Sequence, residues 1–275
     1  MAGLFRLFSR FPLAWAHALG AVLGWLVFLV SPVYRRRFLD HAAQAGLAPA
    51  QWRSAVAAAG QVLTELPRLW FGAPVPVVWQ GEQAIEAALA AGRGVLFLTP
   101  HLGCFEVTAQ AYALRYGARQ PMTVLFRPPR KPGLRQLVQR ARARPGLRTA
   151  PASLSGVRQL VRALRQGECV GLLPDQVPPQ GQGDWQPFFG RPAYTMTLAH
   201  RLAQQEGVTV LLAWGERLPG GRGYCIRVQP VPLELAADPA QAGRQINQAL
   251  ETLIRSRPQQ YLWGYARYKA PREAV

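Results

Sequence analysis

An α/β fold is what the sequence predicts: a largely parallel central sheet flanked by helices on both faces, preceded by an N-terminal membrane-anchoring helix. Three observations carry that expectation. Runs such as "VLFL" (95–98), "TVLF" (123–126) and "VGLL" (170–173) are apolar without alternation, as strands buried on both faces are. Segments with apolar residues at helical spacing lie between them, and strands that alternate with helices pair in parallel. Residues 11–33, "FPLAWAHALGAVLGWLVFLVSPV", fall in a stretch with no charge between Arg10 and Arg35.

That first stretch is long enough to cross a bilayer as a helix, which takes about 20 residues. Its flanks, "RLFSR" and "YRRR", are basic, and Trp15, Trp25 and Tyr34 suit the headgroup level. A secretory signal would have a shorter apolar core and a small-residue cleavage site, whereas "YRRRFLD" follows here. His17 and several alanines dilute the hydrophobicity, so both a spanning helix and one lying in a single leaflet fit. Arg35, Arg36 and Arg37 outweigh Arg6 and Arg10, which puts the bulk of the chain in the cytoplasm. The expected organisation is an anchor over residues 1–33 and a single α/β domain over 34–275.

Two helices should follow, "RRRFLDHAAQAG" and "PAQWRSAVAAAGQVLTELPRLWFG", the second running to a stop at Gly72. From there the alternation begins. "PVPVVWQG" predicts a strand, "EQAIEAALAAG" a helix, "GVLFLTP" a strand, "CFEVTAQAYALRYG" a helix, "MTVLFRP" a strand and "GLRQLVQRARAR" a basic helix. "SLSGVRQLVRALRQGE" predicts a helix capped by Ser153 or Ser155, "CVGLLPD" a strand and "YTMTLAHRLAQQEG" a helix. "VTVLLAWGERL" and "GYCIRVQPVPL" predict two strands, and Asp238 with Pro239 opens a final helix. No internal repeat and no low-complexity linker interrupts the series.

The chain has 275 residues, 49% of them apolar, enough for a sizeable core. Its net charge is +18, almost all from arginine, since Lys131 and Lys269 are the only lysines. Such a surface attracts anions: nucleic acid, anionic lipid or an acidic carrier protein. Cys104, Cys169 and Cys225 are odd in number and form no CxxC, which argues for a reducing compartment and against a disulfide or a zinc site. The four histidines show no metal-ligand spacing, and no metal is expected.

In open α/β sheets the chemistry lies beyond the carboxyl ends of the strands. Three of the expected strands end in a polar residue beside a proline: His101 after Pro100, Arg127 before Pro128, and Asp175 after Pro174. His101 and Glu106 are five residues apart, out of phase on one helix, but they cooperate if His101 lies in the turn and Glu106 in the first turns of the helix. Pro100 and Gly103 supply such a turn. A neutral imidazole could then take a proton from a hydroxyl while the carboxylate holds the ring, and the helix N-terminus would offer amides to an oxyanion.

"PHLGCFE" (100–106) resembles the HxxxxE box of the late acyltransferases of lipid A assembly, the lauroyl/myristoyl transferase group of the glycerolipid acyltransferase superfamily. The resemblance continues through "LFRPPRKPGLRQLV", "SGVRQLVRALRQGECVGLLPDQ", "QPFFGRPAYTMTLAHRLAQ" and "PQQYLWGYARYK", covering about residues 94–269. It implies a glycerol-3-phosphate-acyltransferase-like fold, His101 as general base, Glu106 as its partner, and Arg127 and Asp175 in support of the site or the acceptor. The implied reaction moves a fatty acyl chain from an acyl carrier protein thioester to a hydroxyl of a lipid A precursor, a phosphorylated glycolipid, at the cytoplasmic face of the inner membrane. No cofactor is implied beyond the acyl donor. Lys131 stands before Pro132 where the family often has asparagine, and "PDQVPP" is a local variant. Two other readings use the same residues: an acyl-CoA-dependent transferase acting on another glycolipid or phospholipid, and a basic membrane-tethered protein that binds anionic lipid or nucleic acid. No nucleic-acid motif supports the last. Cys104 offers a covalent route that His101 makes unnecessary.

Overall fold

The computed structural model describes residues 2–126, 129, 132–232 and 234–273. The chain opens with helices α1 (Ala2–Phe8), α2 (Leu13–Val30), α3 (Pro32–Gln44), α4 (Pro49–Thr64) and α5 (Leu66–Phe71). The alternating part then runs β1 (Val77–Gln80), α6 (Gln83–Ala90), β2 (Val95–Leu98), α7 (Phe105–Tyr116), β3 (Met122–Phe126), α8 (Pro132–Arg142), β4 (Leu147–Pro151), α9 (Leu154–Arg165) and β5 (Cys169–Leu172). It ends with β6 (Gly183–Phe188), β7 (Arg191–Met196), α10 (Leu198–Ala203), β8 (Thr209–Arg217), β9 (Tyr224–Pro230) and α11 (Pro239–Ser256).

Seven strands form one sheet in the order β1-β9-β8-β2-β5-β3-β4. β8, β2, β5, β3 and β4 run parallel, while β9 is antiparallel to β8 and β1 follows β9. Successive residues of the central strands serve opposite faces. Leu96, Leu98, Val170, Leu172, Leu212 and Trp214 pack with residues of α3, α4, α9, α10 and α11. Val95, Phe97, Cys169, Leu211 and Ala213 pack with residues of α6 and α7. The expected α/β class and its largely parallel sheet are therefore present, covered by helices on both faces.

The structure departs from the sequence reading in three places. β6 and β7 form a separate antiparallel ribbon, with Pro187 opposite Pro192, and the helix expected from Tyr194 starts only at Leu198. Prolines on both arms hide a hairpin from pattern reading. β4 buries Leu147 and Ala150, three apart, so no period of two marks it. The single helix expected to reach Gly72 breaks at Glu65, and Pro67 near the start of α5 restarts it.

Both sides of α2 are apolar, yet they meet different surroundings. Leu13, Ala16, His17, Gly20, Gly24 and Phe28 form the buried stripe. The opposite stripe, Trp15, Leu19, Val22, Leu26, Leu29 and Val33, is exposed and continues past the end of the helix. The buried side lies against α4, where Gly20 and Gly24 meet Gly60 so closely that a Cβ at Gly60 would run into the backbone of Gly20 and Gly24. At the head of this seam Glu65, 1% exposed, accepts hydrogen bonds from Arg217 at 2.9 and 2.6 Å and from the Tyr224 hydroxyl at 2.9 Å. His17 Nε2 lies 3.3 Å from the same carboxylate. One buried anion thus joins α2, the α4–α5 junction, β8 and β9.

Burial alone would raise the Glu65 carboxyl; Arg217 and His17 overcome it and pull the pKa down from 4.5 to about 2. A depressed carboxylate stabilises the fold above its unfolded pKa and loses that contribution as pH falls through the folded value. Glu65 should therefore add on the order of 3 kcal/mol at neutral pH, lost between pH 4.5 and about 2. Glu65→Gln should cost roughly 3–5 kcal/mol in chemical denaturation at pH 7, because it strands the buried Arg217, and the deficit should shrink on acidification. An equal deficit at pH 7 and pH 3 would contradict this account.

Candidate active site

β2 and β5 are neighbours in the parallel sheet, so the residues that follow them emerge together at its carboxyl edge. Thr99 N extends the pairing with a bond to Leu172 O at 2.9 Å. Beyond that point Asp175, 1% exposed, grips the loop after β2 twice. Its Oδ2 accepts the backbone N–H of His101 at 2.8 Å, and its Oδ1 lies 2.7 Å from His101 Nδ1. A proton on Nδ1 shared with the carboxylate leaves Nε2 with its lone pair, and the Gln176 side-chain nitrogen sits 2.9 Å from Nε2. The Phe105 ring packs on the imidazole, centroids 4.7 Å apart. The His101 side chain keeps 14% of its surface exposed, so it is not fully enclosed.

Asp175 is charged despite its burial. Desolvation pushes its carboxyl up; His101, by charge and two hydrogen bonds, and Arg267, by charge, outweigh it and hold the pKa below the ordinary value. Arg267 is itself buried, donating to Tyr194 O at 2.7 Å and Thr195 Oγ1 at 2.8 Å. The hydroxyl of buried Tyr261 stays protonated beside Asp175, because burial and that carboxylate raise its pKa. Leu262 N donates to His101 O at 3.2 Å, and Leu102 bridges Tyr261, so the C-terminal segment walls the site. Tyr261 and Arg267 fall within "PQQYLWGYARYK", a resembling stretch, but only the fold brings them to Asp175.

Glu106 has other partners. Trp70 Nε1 donates to Oε1 at 2.9 Å, and Arg142 donates to Oε1 at 3.0 Å and Oε2 at 2.7 Å. The Arg142 guanidinium also lies over the Phe126 ring at the end of β3, 4.9 Å from its centroid. The ring partner of His101 is thus Asp175, while Glu106 clamps the first turn of α7 to α5 and α8. The reason is local. Gly103, at φ +61°, pairs with Gly215, and Gly103 N and Cys104 N donate to Gln260 O and Gly215 O. The turn is therefore pinned to β8 and the C-terminal segment, and α7 starts with Glu106 among the partners contributed by α5 and α8. Arg127 lies outside the described residues.

The three cysteines are free and buried. The Cys104 thiol is driven well above its ordinary pKa by burial and by Glu65, so it is not ionised at neutral pH. Cys104, the residue before α7, makes no side-chain capping hydrogen bond.

The structure thus places a histidine, held by a buried carboxylate and with no ionised thiol beside it, at the carboxyl edge of a mostly parallel sheet. The chain matches the bacterial lipid A biosynthesis acyltransferase family over residues 2–270 and belongs to it. It is 27% identical over 217 residues to a lipid A biosynthesis palmitoleoyltransferase of Escherichia coli (strain K12), covering 76% of this chain and 68% of that protein. It is 26% identical over 197 residues to a lipid A biosynthesis lauroyltransferase of the same organism, covering 71% of this chain and 62% of that protein. A lipid A biosynthesis acyltransferase of Haemophilus influenzae is 25% identical over 183 residues, covering 66% of this chain and 56% of that one.

Cys104→Ala should leave turnover within about tenfold of wild type in a steady-state transfer assay, whereas a covalent role would cost far more.

Proposed function

We propose that this chain transfers a fatty acyl group from an acyl carrier protein thioester to a hydroxyl of a lipid A precursor, with His101 as general base. The observation that carries this reading is the Asp175–His101 pair, in which the buried carboxylate engages Nδ1 and leaves Nε2 facing only the Gln176 side chain. In the reaction the acceptor hydroxyl replaces Gln176 at Nε2 and gives up its proton there. Its oxygen attacks the thioester carbonyl, and Asp175 stabilises the imidazolium that forms. The carbonyl oxygen takes the charge and is proposed to be met by backbone amides at the start of α7. As the C–S bond breaks, the imidazolium returns its proton to the departing thiolate, and the ester leaves.

Glu106 serves this chemistry through position. By holding Trp70 and Arg142 it fixes the start of α7, and with it the amides that face the oxyanion. Arg127, the residue that follows β3 in the sequence, is proposed to support the acceptor. The arrangement fits a glycerol-3-phosphate-acyltransferase-like scaffold, divided into an anchor over residues 1–33 and a catalytic domain over 34–275. The exposed stripe of α2 favours a lipid-facing N-terminus, and the arginine excess favours an acidic carrier protein and a phosphorylated acceptor. The flanking arginines favour the cytoplasmic face of the inner membrane.

The test uses purified protein in detergent, an acyl carrier protein thioester and a hydroxylated lipid A precursor. His101→Ala should lower transfer by roughly 10²–10⁴-fold with thermal stability little changed. Asp175→Asn should lower kcat by about 10³-fold or more while preserving KM, because an amide no longer holds the required tautomer. A His101→Ala protein that turns over at the wild-type rate ends this reading.

A further inference from the structure

The C-terminal segment that walls the active site has a second face. Leu262 donates to the His101 carbonyl, and Arg267 turns inward towards Asp175. Between and beyond them, the Trp263 carbonyl lies 2.9 Å from His41 Nδ1 and the Gly264 carbonyl accepts from Arg37 at 3.2 Å. Ala266, Tyr268 and Lys269 then line a cavity of about 640 Å³ formed with α3 and with Arg191 of the β6–β7 ribbon. Leu262 and Lys269 are seven residues apart, so the two sites lie within ~25 Å of chain.

The cavity is cationic. Arg36, Arg37, Arg191 and Lys269 line it against one carboxylate, Asp40. His41, at its inner wall, has its pKa lowered by burial and adds no charge at neutral pH. Arg36 has no hydrogen-bond partner among the described residues. Arg191 lies over the Tyr268 ring, 4.7 Å from its centroid, and pairs with Asp40 at 3.0 Å. Both members of that pair are about half exposed, so the contact is weak and Arg191 is available to a stronger anion. Guanidinium groups set around a wet concavity suit a phosphate, which takes two N–H donors from each.

Its place in the fold says where such a phosphate comes from. The exposed apolar stripe of α2 ends at Leu29, Val30 and Val33, and Val33 lines the cavity itself. Arg35 turns back to bond the Leu29 carbonyl at 2.8 Å, while Arg36 and Arg37 face the cavity. Charge therefore begins two residues beyond Val33, the last member of the stripe, as it does where an apolar helix face gives way to headgroups.

We infer that the cavity between α3, Arg191 and the segment 266–269 is a binding subsite for a phosphomonoester on the headgroup of the membrane-embedded acyl acceptor. The word acceptor rests on the acyl-transfer reading; the phosphate site rests on Arg36, Arg37, Arg191 and the end of the α2 stripe. A headgroup anchored there by its phosphate presents a hydroxyl to His101 around the edge of one strand of chain.

The experiment pairs Arg36→Gln/Arg191→Gln with wild type on the phosphorylated acceptor and on the same lipid after phosphatase treatment. Wild type should lose about ten- to a hundredfold in kcat/KM on dephosphorylation, mostly in KM, and the double variant should show that loss already with the phosphate present and little further loss without it. Equal losses for the variant on both lipids, or indifference of wild type to the phosphate, would overturn the proposal. Binding is read separately in the His101→Ala background, so that a failure of the catalytic reading leaves this test intact. Flotation with phosphatidylcholine vesicles doped with the acceptor should fall at least tenfold in affinity when Arg36 and Arg191 are replaced. The fall should be much smaller on vesicles doped with phosphatidylglycerol. Equal falls on both vesicles would make this a general anionic-lipid contact, and inorganic phosphate displacing the doped vesicles at micromolar concentration would make it a free-phosphate site; either result overturns the assignment.

Discussion

Two oxygens of one buried carboxylate hold the loop after β2 in place. Asp175 binds the main chain of His101 with one oxygen and its ring with the other, so backbone and imidazole are fixed from the same point. Either bond alone would leave a freedom: the ring could turn about a fixed backbone, or the loop could slide with the ring. The arrangement needs β2 and β5 to be adjacent and parallel, because only then do their ends emerge side by side. It also needs partners that keep Asp175 ionised in a dry place: His101 first, by charge and hydrogen bonds, and then Arg267 from the C-terminal segment. Sheet order, loop geometry and the closing segment all converge on a group that is 1% exposed.

A second buried carboxylate performs a similar task at the other end of the fold. Glu65 collects Arg217, Tyr224 and His17, elements that are far apart in sequence. Cys104, the residue before α7, lies close enough for Glu65 to raise its pKa. The point where α2 docks and the start of α7 are therefore neighbours, and the seam between α2 and α4 leads towards the turn that carries His101.

Much of this was legible in the sequence. Unbroken apolar runs marked β2, β3 and β5, and residues placed after strands by prolines marked His101 and Asp175. The partner of His101 was harder. Spacing favoured Glu106, five residues away, but spacing carries no information on which strand lies next to β2; that adjacency brings Asp175, 74 residues distant, to the ring. His17 looked like a flaw in an apolar helix and is instead one partner of Glu65. The β6–β7 ribbon, with a proline on each arm, gave no alternation to detect. Arg191 gained a context only when that ribbon folded beside α3, and the cationic cavity, assembled from three distant segments, has no linear signature.

The close contact of Gly20, Gly24 and Gly60 has a consequence for how such a chain would meet its substrates. A helix joined to its domain by a flexible linker lets the domain wander in a hemisphere above a surface. Here α2 is locked along α4, so whatever receives its outer side also sets the height and tilt of the sheet edge that carries His101. If that outer side meets a bilayer, encounter with a lipid becomes a search in two dimensions, by lateral drift at constant depth, and only a soluble donor would have to arrive from the third.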